Sequence, residues 1–480
     1  MPEVKSLTRR EFLQRTSLAA GASAILAGSR RLPGAGARPR RKPNIIFVLA
    51  DDLGYGDLGC FGQERIKTPN LDKLAAEGMR FTDCYAGSTV CAPSRSCLMT
   101  GQHCGHTLVR GNGRVPLRPE DVTVAELLKR AGYATALIGK WGLGEAGSTG
   151  VPTKQGFDIF FGYLNQHHAH NYYPAFLWRG EQRVKLPNVV PGKGEFGVGV
   201  ATEKVQYSHD LFAEEALKWV EAHKAGPFFL YLALTIPHAN NQAGNKGMEV
   251  PDLGIYKDTD WPAPQKGHAA MITRMDKDVG RLMAKLKALG IDEETVVIFS
   301  SDNGPHGEGG ANPRFFHSSG PLTGMKRTLT EGGIRVPGMA RWPGRIQPGT
   351  TSDHPWAFWD FLPTACEIAG VQPPADTDGL SFLPAMLGKR QRRPEFLYWE
   401  FHEGGGSQQA VRMGNWKAIR RWPKGPTRLY DLSKDLGEKT DVAAAHADVV
   451  KKIETYLAGA RTESKHWPMR ERRARRPRKT

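Results

Sequence analysis

The sequence predicts an α/β protein: a large, mostly parallel (mixed) sheet flanked by helices, followed by a smaller C-terminal subdomain with an antiparallel sheet. Three observations predict this fold. Continuous apolar runs rich in β-forming residues, such as 44–50, are typical of strands buried on both faces. Helical segments alternate with these runs, as in parallel α/β sheets. From about Phe396 onward, short strand-like pieces follow one another closely, which indicates antiparallel pairing.

Four apolar runs are the predicted strands of the main sheet, and each ends in polar or charged residues. In open parallel sheets, ligands bind beyond the carboxyl ends of the strands. We therefore expect the residues that follow these strands to meet at one edge. The strands and the residues that follow them are 44–50 (Asp51, Asp52), 133–138 (Gly139, Lys140), 228–236 (Pro237, His238) and 295–300 (Ser301, Asp302, Asn303).

The predicted helices 71–77, 122–131 and 268–289 alternate with these strands, so we expect residues 43–390 to form one large domain. Residues 391–464 would form the C-terminal subdomain, and 465–480 a basic tail. The predicted elements of the subdomain are strands at 396–401, 409–413, 416–420 and 428–432 and a helix at 449–460.

Composition and charge exclude several classes of protein. The 480 residues include 40% hydrophobic and 24% charged residues, which is ordinary for a folded chain. The net charge of +17 lies mainly in the segments 1–42 and 465–480, so the nearly neutral centre does not indicate nucleic-acid binding. The Arg-rich tail is either a solvated end or a contact for a polyanion. No apolar run reaches the roughly 18 residues of a membrane-spanning helix. The six cysteines lack regular zinc-site or disulfide-scaffold spacing.

The N-terminal segment 1–42 has the pattern of an export signal and a flexible lead-in. Arg9 and Arg10 precede Phe12 and Leu13, and the stretch 16–28 is small, apolar and uncharged. The paired arginines resemble a twin-arginine signal, which implies export of an already folded bacterial protein by that machinery. We therefore expect a periplasmic or secreted protein.

Asp51, Asp52, Asp302 and Asn303 are the candidate metal ligands. They offer only oxygen donors, which suit a hard cation such as Ca²⁺ or Mg²⁺. The alternative is that each residue is a helix cap or turn residue. That alternative explains each position singly but not their convergence at one sheet edge.

Residues 91–101 form the second candidate site. Pro93 suits the first turn of a helix, which would place Cys91 just before the helix N-terminus, where anions are favoured. Arg95 adds a guanidinium that can bind an oxyanion. These residues alone indicate an anion site beside a nucleophile, as in a cysteine protease or a phosphatase. No partner histidine for the thiol is discernible, however.

The stretch 91–101 resembles the sulfatase signature C-x-P-S-R-x-x-L-x-T-G, and the Ala-Asp-Asp and Asp-Asn-Gly turns match the same family. The resemblance covers about 44–343, and 429–432 is similar to the C-terminal signature. It implies an alkaline phosphatase-like fold with 43–390 as the catalytic domain. It also implies that a formylglycine-generating enzyme converts the cysteine to formylglycine (3-oxoalanine). The implied ligands of a Ca²⁺ ion are Asp51, Asp52, Asp302, Asn303 and the modified Cys91.

The resemblance also implies the roles of the remaining site residues in sulfate-ester hydrolysis. Arg95 would stabilise the hydrated aldehyde, and Lys140 and Lys326 would bind sulfate oxygens. His238 would be the general acid for the leaving oxygen, with Lys326 as a competitor for that role. One hydroxyl of the hydrate would attack sulfur, and the second would later expel sulfate as the aldehyde re-forms.

This chain departs from the family pattern at Gly142, where many sulfatases have a histidine that contacts the hydrate. Glycine has no acid–base group, so another residue would have to supply the function. The segment 165–174 is rich in histidine, amide and tyrosine side chains. We expect His168 or His170 to lie in the substrate pocket; the alternatives are a surface loop or a second metal site. His306 and His317, which flank the Asp-Asn turn, are further candidates.

The expected substrate is a sulfated polysaccharide or other sulfated glycan, which suits an exported enzyme. A first alternative is a phosphodiester or phosphonate monoester hydrolase, because relatives with that activity share the formylglycine motif and metal ligands. A second alternative, from another class, is an inactive polyanion-binding protein. The intact Cys91, Arg95 and metal ligands speak against the inactive protein. Extra cations near the site would favour the phosphorus ester, because phosphate carries more charge than a sulfate ester.

Overall fold

The computed structural model describes residues 41–192 and 197–471. The predicted export signal and most of the basic tail lie outside the described residues. The described residues from Lys42 onward belong to one compact unit. In this part of the chain the strands are β1 (Asn44–Asp51), β2 (Met79–Phe81), β3 (Cys84–Tyr85), β4 (Ala134–Lys140), β5 (Ile159–Tyr163), β6 (Phe176–Arg179), β7 (Gln182–Lys185), β8 (Phe228–Pro237), β9 (Thr295–Ser301), β10 (Gly338–Arg341), β11 (Thr350–Ser352), β12 (Trp356–Ala357), β13 (Leu397–Phe401), β14 (Gln408–Met413), β15 (Trp416–Arg420) and β16 (Thr427–Asp431).

The main sheet has ten strands in the order β11-β2-β10-β9-β1-β8-β4-β5-β6-β7. Its central strands, β9, β1, β8, β4 and β5, pair in parallel. Antiparallel pairs lie toward both edges, where β10 joins β9 to β2 and β6 joins β5 to β7. The predicted mixed, mostly parallel sheet is confirmed. All four strands predicted for it are present.

The helices that were predicted begin and end close to the predicted positions, apart from one that starts earlier. The helix predicted from 268 begins at Ala263, because Pro264 fits its first turn, where no backbone donor is required. Four helices of the structure were not predicted: Ser208–Ala222, Glu331–Ile334, Phe361–Ala369 and Leu383–Met386. None of the helices in the described ranges has the length and apolar character needed to cross a bilayer. The helices are α1 (Pro69–Ala76), α2 (Cys91–Thr100), α3 (Val124–Arg130), α4 (Ser208–Ala222), α5 (Ala263–Ala288), α6 (Glu331–Ile334), α7 (Phe361–Ala369), α8 (Leu383–Met386) and α9 (Ala447–Gly459), with short 3-10 helices at Gly59–Phe61, Pro152–Lys154, His168–His170, Asn241–Lys246, Gly254–Tyr256, Phe358–Asp360 and Ala443–Ala445.

Helices cover both faces of the main sheet, and alternate residues of β1 belong to different apolar layers. Ile46 and Val48 pack in one layer with residues of α1, α4 and α5. Ile45 and Phe47 pack in the other layer with residues of α2, α3 and α7. Because successive strand side chains point to opposite faces, a strand covered on both faces must be apolar throughout. This arrangement explains the continuous apolar runs of the sequence.

The antiparallel sheet β13-β14-β15-β16 is present as predicted, and it packs tightly on the rest of the unit. The ring of Trp399 lies 5.2 Å from that of Tyr85, measured between centroids. The buried ammonium of Lys417 donates to Glu331 Oε1 at 2.8 Å. The backbone N–H of Glu331 donates to Glu438 Oε2 at 2.6 Å. The C-terminal sheet is therefore joined to β3 through apolar contact and to helix Glu331–Ile334 through buried charge.

The first residues of the predicted basic tail are part of this packed surface. Trp467 Nε1 donates to the main-chain oxygen of Leu108 at 3.0 Å. The N–H of Ser407 donates to the main-chain oxygen of Arg470 at 2.8 Å, and the N–H of Arg470 donates to Ser407 Oγ at 3.0 Å. The predicted tail boundary at 465 therefore falls too early.

Candidate active site

The ends of four neighbouring strands bring the predicted site residues together. Strands β9, β1, β8 and β4 are adjacent in the sheet, so the residues at their carboxyl ends meet at one edge. All of these residues are buried. The strand ends contribute Asp51 and Asp52 (β1), Lys140 (β4), His238 (β8), and Asp302 and Asn303 (β9).

Backbone hydrogen bonds at Asp52 hold the ends of β1 and β9 together. Asp52 has a φ of 64°, in the left-handed region that aspartate enters more readily than most residues. Its N–H donates to Asp302 Oδ1 at 3.1 Å, and the N–H of Leu53 donates to Ser301 Oγ at 2.9 Å. These bonds fix the relative positions of the acidic side chains from the two strands.

Cys91 is the first residue of α2 rather than the residue before it, since Val90 takes the N-cap position. The Cys91 Sγ lies 3.4 Å from an oxygen of Asp51. Arg95, one turn further along α2, donates to Asp302 Oδ2 from Nε at 3.1 Å and from Nη2 at 2.7 Å. Its Nη1 donates to a main-chain oxygen of β4 at 2.7 Å. Arg95 therefore ties the helix that carries Cys91 to two of the strands.

Two buried lysines pair with the two aspartates of β1. Lys140 Nζ donates to Asp51 Oδ2 at 2.6 Å. Lys326 Nζ donates to Asp52 Oδ2 at 2.7 Å and lies 3.0 Å from His238 Nε2. His238 Nδ1 is 2.7 Å from the next main-chain carbonyl oxygen, which can only accept. Nδ1 of the neutral ring therefore carries the proton, and Nε2 accepts from Lys326.

Burial and neighbouring charges shift the pKa values of the acidic groups and of the thiol in the site. Burial alone would raise the pKa of Asp51, but the surrounding cations, Lys140 foremost, hold it below its ordinary value. Burial and the neighbouring Asp51 carboxylate raise the pKa of Asp302 to about 7. Burial, together with Asp51, also raises the pKa of the Cys91 thiol well above its ordinary value. A protonated thiol is a poor nucleophile, so the site does not suit a cysteine protease or a thiol phosphatase.

The donor set fits a hard divalent cation. Asn303 Nδ2 donates to Asp52 Oδ1 at 2.7 Å, whereas Asn303 Oδ1 is buried and has no hydrogen-bond partner among the described residues. Donor atoms of Asp51, Asp52 and Cys91 lie within 4.8 Å of one another. A cation bound here would satisfy Asn303 Oδ1 and offset the negative charge that raises the pKa of Asp302. The residues that would hold it are the predicted Asp51, Asp52, Asp302 and Asn303.

Cys91 lies in the wall of a cavity of about 600 Å³. This volume falls within the range of small-molecule binding sites. The wall is mainly polar and carries charges of both signs. Its residues include Cys91, Asn112, Arg114, Gly142, Glu145, Asn165, Gln166, His167, His170, His238, Asn241, Lys326, Arg327 and Glu403.

Of the two predicted pocket histidines, His170 lines the cavity and His168 does not. The ring of His170 stacks on that of His238 with 4.6 Å between centroids. The ring of His168 packs instead between Tyr163 and Phe176, at 4.8 and 4.6 Å. Burial lowers the pKa of His170 to about 3, with a further contribution from nearby lysines. The placement of His168 in the substrate pocket is therefore corrected, and His170 is neutral as it stands.

The further candidates His306 and His317 do not line the cavity. His306 Nε2 donates to the carbonyl of Pro237 at 3.0 Å, and its Nδ1 accepts the N–H of Glu308 at 3.0 Å. Both ring nitrogens of His306 therefore have structural partners. The segment after the Asp-Asn turn contributes a different group, since Glu308 Oε2 lies 3.5 Å from Lys326 Nζ.

Glu308, Arg327 and Glu403 were not predicted from the sequence, whereas Gln166 lies in the predicted polar segment 165–174 and lines the cavity. Arg327 pairs with Glu308, and its Nε lies 3.8 Å from Glu403 Oε2. Arg327 and Glu403 line the cavity. A signal for Arg327 was available, because it follows Lys326 directly. Nothing in the sequence places Glu403 here, because it comes from the loop after β13.

Comparison with known proteins shows the family to which the chain belongs. The sulfatase family model matches residues 43–371. A second family model, for the C-terminal part of N-sulphoglucosamine sulphohydrolase, matches residues 324–463. The two matches together include every element that contributes to the site.

Similar proteins include curated sulfatases. Human (Homo sapiens) arylsulfatase A is 34% identical over 470 residues, covering 87% of this chain and 87% of the relative. N-acetylgalactosamine-6-sulfatase of Sus scrofa is 34% identical over 397 residues, covering 78% of this chain and 71% of the relative. The crystal structure of Ps i-CgsB in complex with k-i-k-neocarrahexaose has a TM-score of 0.73 and 29% identity, covering 87% of this chain and 93% of that one. The chain therefore belongs to the sulfatase family, enzymes that hydrolyse sulfate esters, within the alkaline phosphatase-like superfamily.

Proposed function

We propose that this sulfatase removes sulfate groups from sulfated carbohydrate, using a formylglycine made from Cys91 and a bound Ca²⁺. The observation that carries the proposal is the position of Cys91. It begins a buried helix, its Sγ lies 3.4 Å from Asp51, and burial keeps its thiol protonated. Thiol chemistry is unsuited to this position beside an all-oxygen donor set, which instead favours conversion of the side chain during synthesis by a formylglycine-generating enzyme.

When present, formylglycine supplies the attacking hydroxyl and Ca²⁺ the positive charge that a sulfate oxygen needs. The residues of the chain supply the rest of the electrostatic complement. Lys140 and Lys326 provide buried ammonium groups for the sulfate oxygens, and Arg95 holds α2 against β9. Because these charges are fixed in advance, loss of one such donor typically costs about 10²–10³-fold in rate.

Lys326 is the better candidate for the proton donor to the leaving oxygen. Nε2 of His238 accepts from Lys326 Nζ at 3.0 Å, and Nδ1 donates to the main chain. Burial lowers the pKa of His238 well below its ordinary value, with Lys326 contributing. His238 is therefore neutral and has no proton on the nitrogen nearest Lys326. We assign it the role of positioning the Lys326 ammonium.

Two observations support a carbohydrate substrate. Similar proteins include N-acetylgalactosamine-6-sulfatase, and the Ps i-CgsB structure contains k-i-k-neocarrahexaose. In this chain, a second cavity of about 440 Å³ shares Arg327 with the first and is lined by Arg421, Trp422 and Arg428. Arginine and aromatic side chains suit an anionic sugar chain that extends beyond the reacting unit.

The N-terminal pattern supports action in the bacterial periplasm or outside the cell. The pair Arg9-Arg10 followed by Phe12 and Leu13 precedes a small apolar stretch, as in twin-arginine signals. A folded, already modified enzyme would be exported by that machinery. The same proposal accounts for part of the positive charge without a nucleic-acid partner.

The test combines peptide mass spectrometry across residue 91 with assays of aryl sulfate, aryl phosphate and phosphonate monoester. We expect the formylglycine mass in active protein and a preference for the sulfate. C91A should abolish activity, whereas C97A, which changes another cysteine of the same helix, should keep the modification. An unmodified Cys91 in fully active enzyme would refute the mechanism. Preference for a phosphorus ester would establish the first alternative, and glycan binding without sulfate release the second.

A further inference from the structure

The first turn of α2 carries Cys91, and its N–H groups need acceptors from outside the helix. The first N–H groups of an α-helix have no partner within the helix itself. Val90, at the N-cap position, makes no side-chain cap. Ala92 is fully buried, so its N–H cannot turn to water. The acceptor is Asn112 Oδ1, which lies 3.0 Å from the nitrogen of Ala92.

Asn112 therefore caps α2 from a loop that follows the helix. An N–H group can only donate, so the amide of Asn112 presents its oxygen to Ala92. This N–H belongs to the peptide group that joins Cys91 to Ala92, so the hydrogen bond fixes the backbone directly beside Cys91. Asn112 and Cys91 also lie in the wall of the same cavity.

The loop that carries Asn112 is held by the C-terminal part of the chain. The ring of Trp467 lies against it so closely that a Cβ atom on Gly113 would be 2.9 Å from Trp467 Cη2. Arg110 Nη1 donates to Glu400 Oε1 at 3.1 Å. The loop is therefore packed between β13 and the segment after α9, which together set the position of Asn112.

Glu403, from the loop after β13, contacts Asn112 directly. Its Oε1 accepts the N–H of Asn112 at 3.2 Å. Its Oε2 lies 3.8 Å from the Nε of Arg327, which directly follows Lys326. Glu403 thus joins the loop that caps α2 to the loop that carries Lys326.

We propose that Asn112 is a positioning residue for Cys91: its side-chain oxygen caps α2 and holds the reacting side chain in place, and Glu403 holds Asn112. The proposal rests on the proposed function, in which the side chain of residue 91 attacks sulfur. Asn112 acts through the peptide group between residues 91 and 92, and it transfers no proton. The C-terminal sheet thereby helps to fix a reacting group that lies at the edge of the other sheet.

The decisive comparison is between N112L, which keeps the shape of the side chain and removes both polar atoms, and N112D, which keeps an acceptor for Ala92. Hydrogen exchange, measured by mass spectrometry on peptides that span residues 88–98, reports the cap directly. We expect exchange at the start of α2 to be about two- to thirtyfold faster in N112L, as for loss of an N-cap, and close to that of the wild type in N112D. N415L, at an exposed asparagine in the turn between β14 and β15, is the matched control.

Activity, expressed per mole of folded protein that carries formylglycine, separates positioning from simple stabilisation. We expect kcat of N112L to fall about ten- to a hundredfold while KM changes little, because a displacement of about 1 Å can cost that much. N112D should recover most of kcat, although its negative charge should raise KM for the sulfate ester. Wild-type kcat in N112L, an equal loss of kcat in N112D, or a loss of kcat without faster exchange would each overturn the proposal.

A double-mutant comparison tests whether Glu403 acts through Asn112. E403L should lower kcat in the wild type but add little in an N112L background, and equal effects in both backgrounds would refute the link. If N112L does not fold, the smaller N112A takes its place. Failure of the proposed function would appear instead as an inactive wild type, or as active protein with an unmodified Cys91. In either case, the exchange at the start of α2 still decides whether Asn112 is the cap.

Discussion

Cation binding at the carboxylate cluster should stabilise the folded protein, and the effect can be assigned to individual residues. At a free Ca²⁺ concentration of about 100 Kd, a single site adds about 2.7 kcal/mol to the free energy of unfolding. An unfolding entropy of about 2.1 cal/mol/K per residue amounts to roughly 1 kcal/mol/K for this chain. We therefore expect Ca²⁺ to raise the melting temperature by about 3 °C over the chelated protein.

Calorimetric melting with Ca²⁺ or with a chelator measures this shift, and two variants locate it. D51N removes an oxygen that would hold the cation, so its shift should disappear. D378N is the matched control, since Asp378 belongs to a separate group with His103 and His106 and should leave the shift unchanged. For each variant, the melting temperature with Ca²⁺ is compared with the melting temperature of the same variant with chelator. The effect of the substitution itself on stability therefore cancels. A shift that survives in D51N, or that disappears in D378N, would refute the assignment of the cation to the strand ends.

Four further outcomes are expected. K326M should slow hydrolysis of alkyl sulfates much more than of aryl sulfates with acidic leaving groups, because the latter need less proton donation; equal slowing, measured as kcat, would count against Lys326 as the donor. R421A/R428A should raise KM for a sulfated polysaccharide and leave KM for a small aryl sulfate unchanged. Burial raises the pKa of Asp360 to about 7 from 3.8, so the folded state binds the extra proton between these values. The free energy of unfolding should therefore fall as pH rises from about 4 to 7, less steeply in D360N than in the wild type. W399A should lower the free energy of unfolding by about 3–5 kcal/mol in denaturant titrations, because it empties a buried site where β13 packs on Tyr85 and Trp359.

The central strands could be predicted because a strand that is buried on both faces appears in the sequence as a continuous apolar run. Ile45 and Ile46 face different layers, so the run that contains them has no polar position. The strand ends could be predicted for the same reason, since Asp51 and Asp302 interrupt such runs abruptly. Several shorter strands were not predicted, β5, β6 and β7 among them, and neither were four helices, of which α4 is the longest. For α4 the signal existed, because Phe212, Ala216 and Trp219 are buried at helical spacing.

The parts of the site that could not be predicted from the sequence depend on how side chains pack in the tertiary structure. His168 and His170 lie in the same short 3-10 helix, yet one packs among aromatic rings and the other stacks on His238. No local pattern separates two such positions. Lys326 was recognised from its motif, but its hydrogen bond to His238 joins it to a residue that lies 88 positions earlier in the chain. The choice between Lys326 and His238 as proton donor could therefore be made only from the structure.

The buried charges beneath the C-terminal sheet also constrain how this enzyme can be recombined with others. Lys417 on β15 depends on Glu331, which precedes the predicted subdomain boundary at 391 by sixty residues. A chimera spliced at 391 would import this lysine with only one of its two counter-ions, Glu438, and a mismatch at position 331 would remove the shorter of its two buried ion pairs. The exchangeable segment must therefore begin before α6, so that this acid–base pair is inherited together.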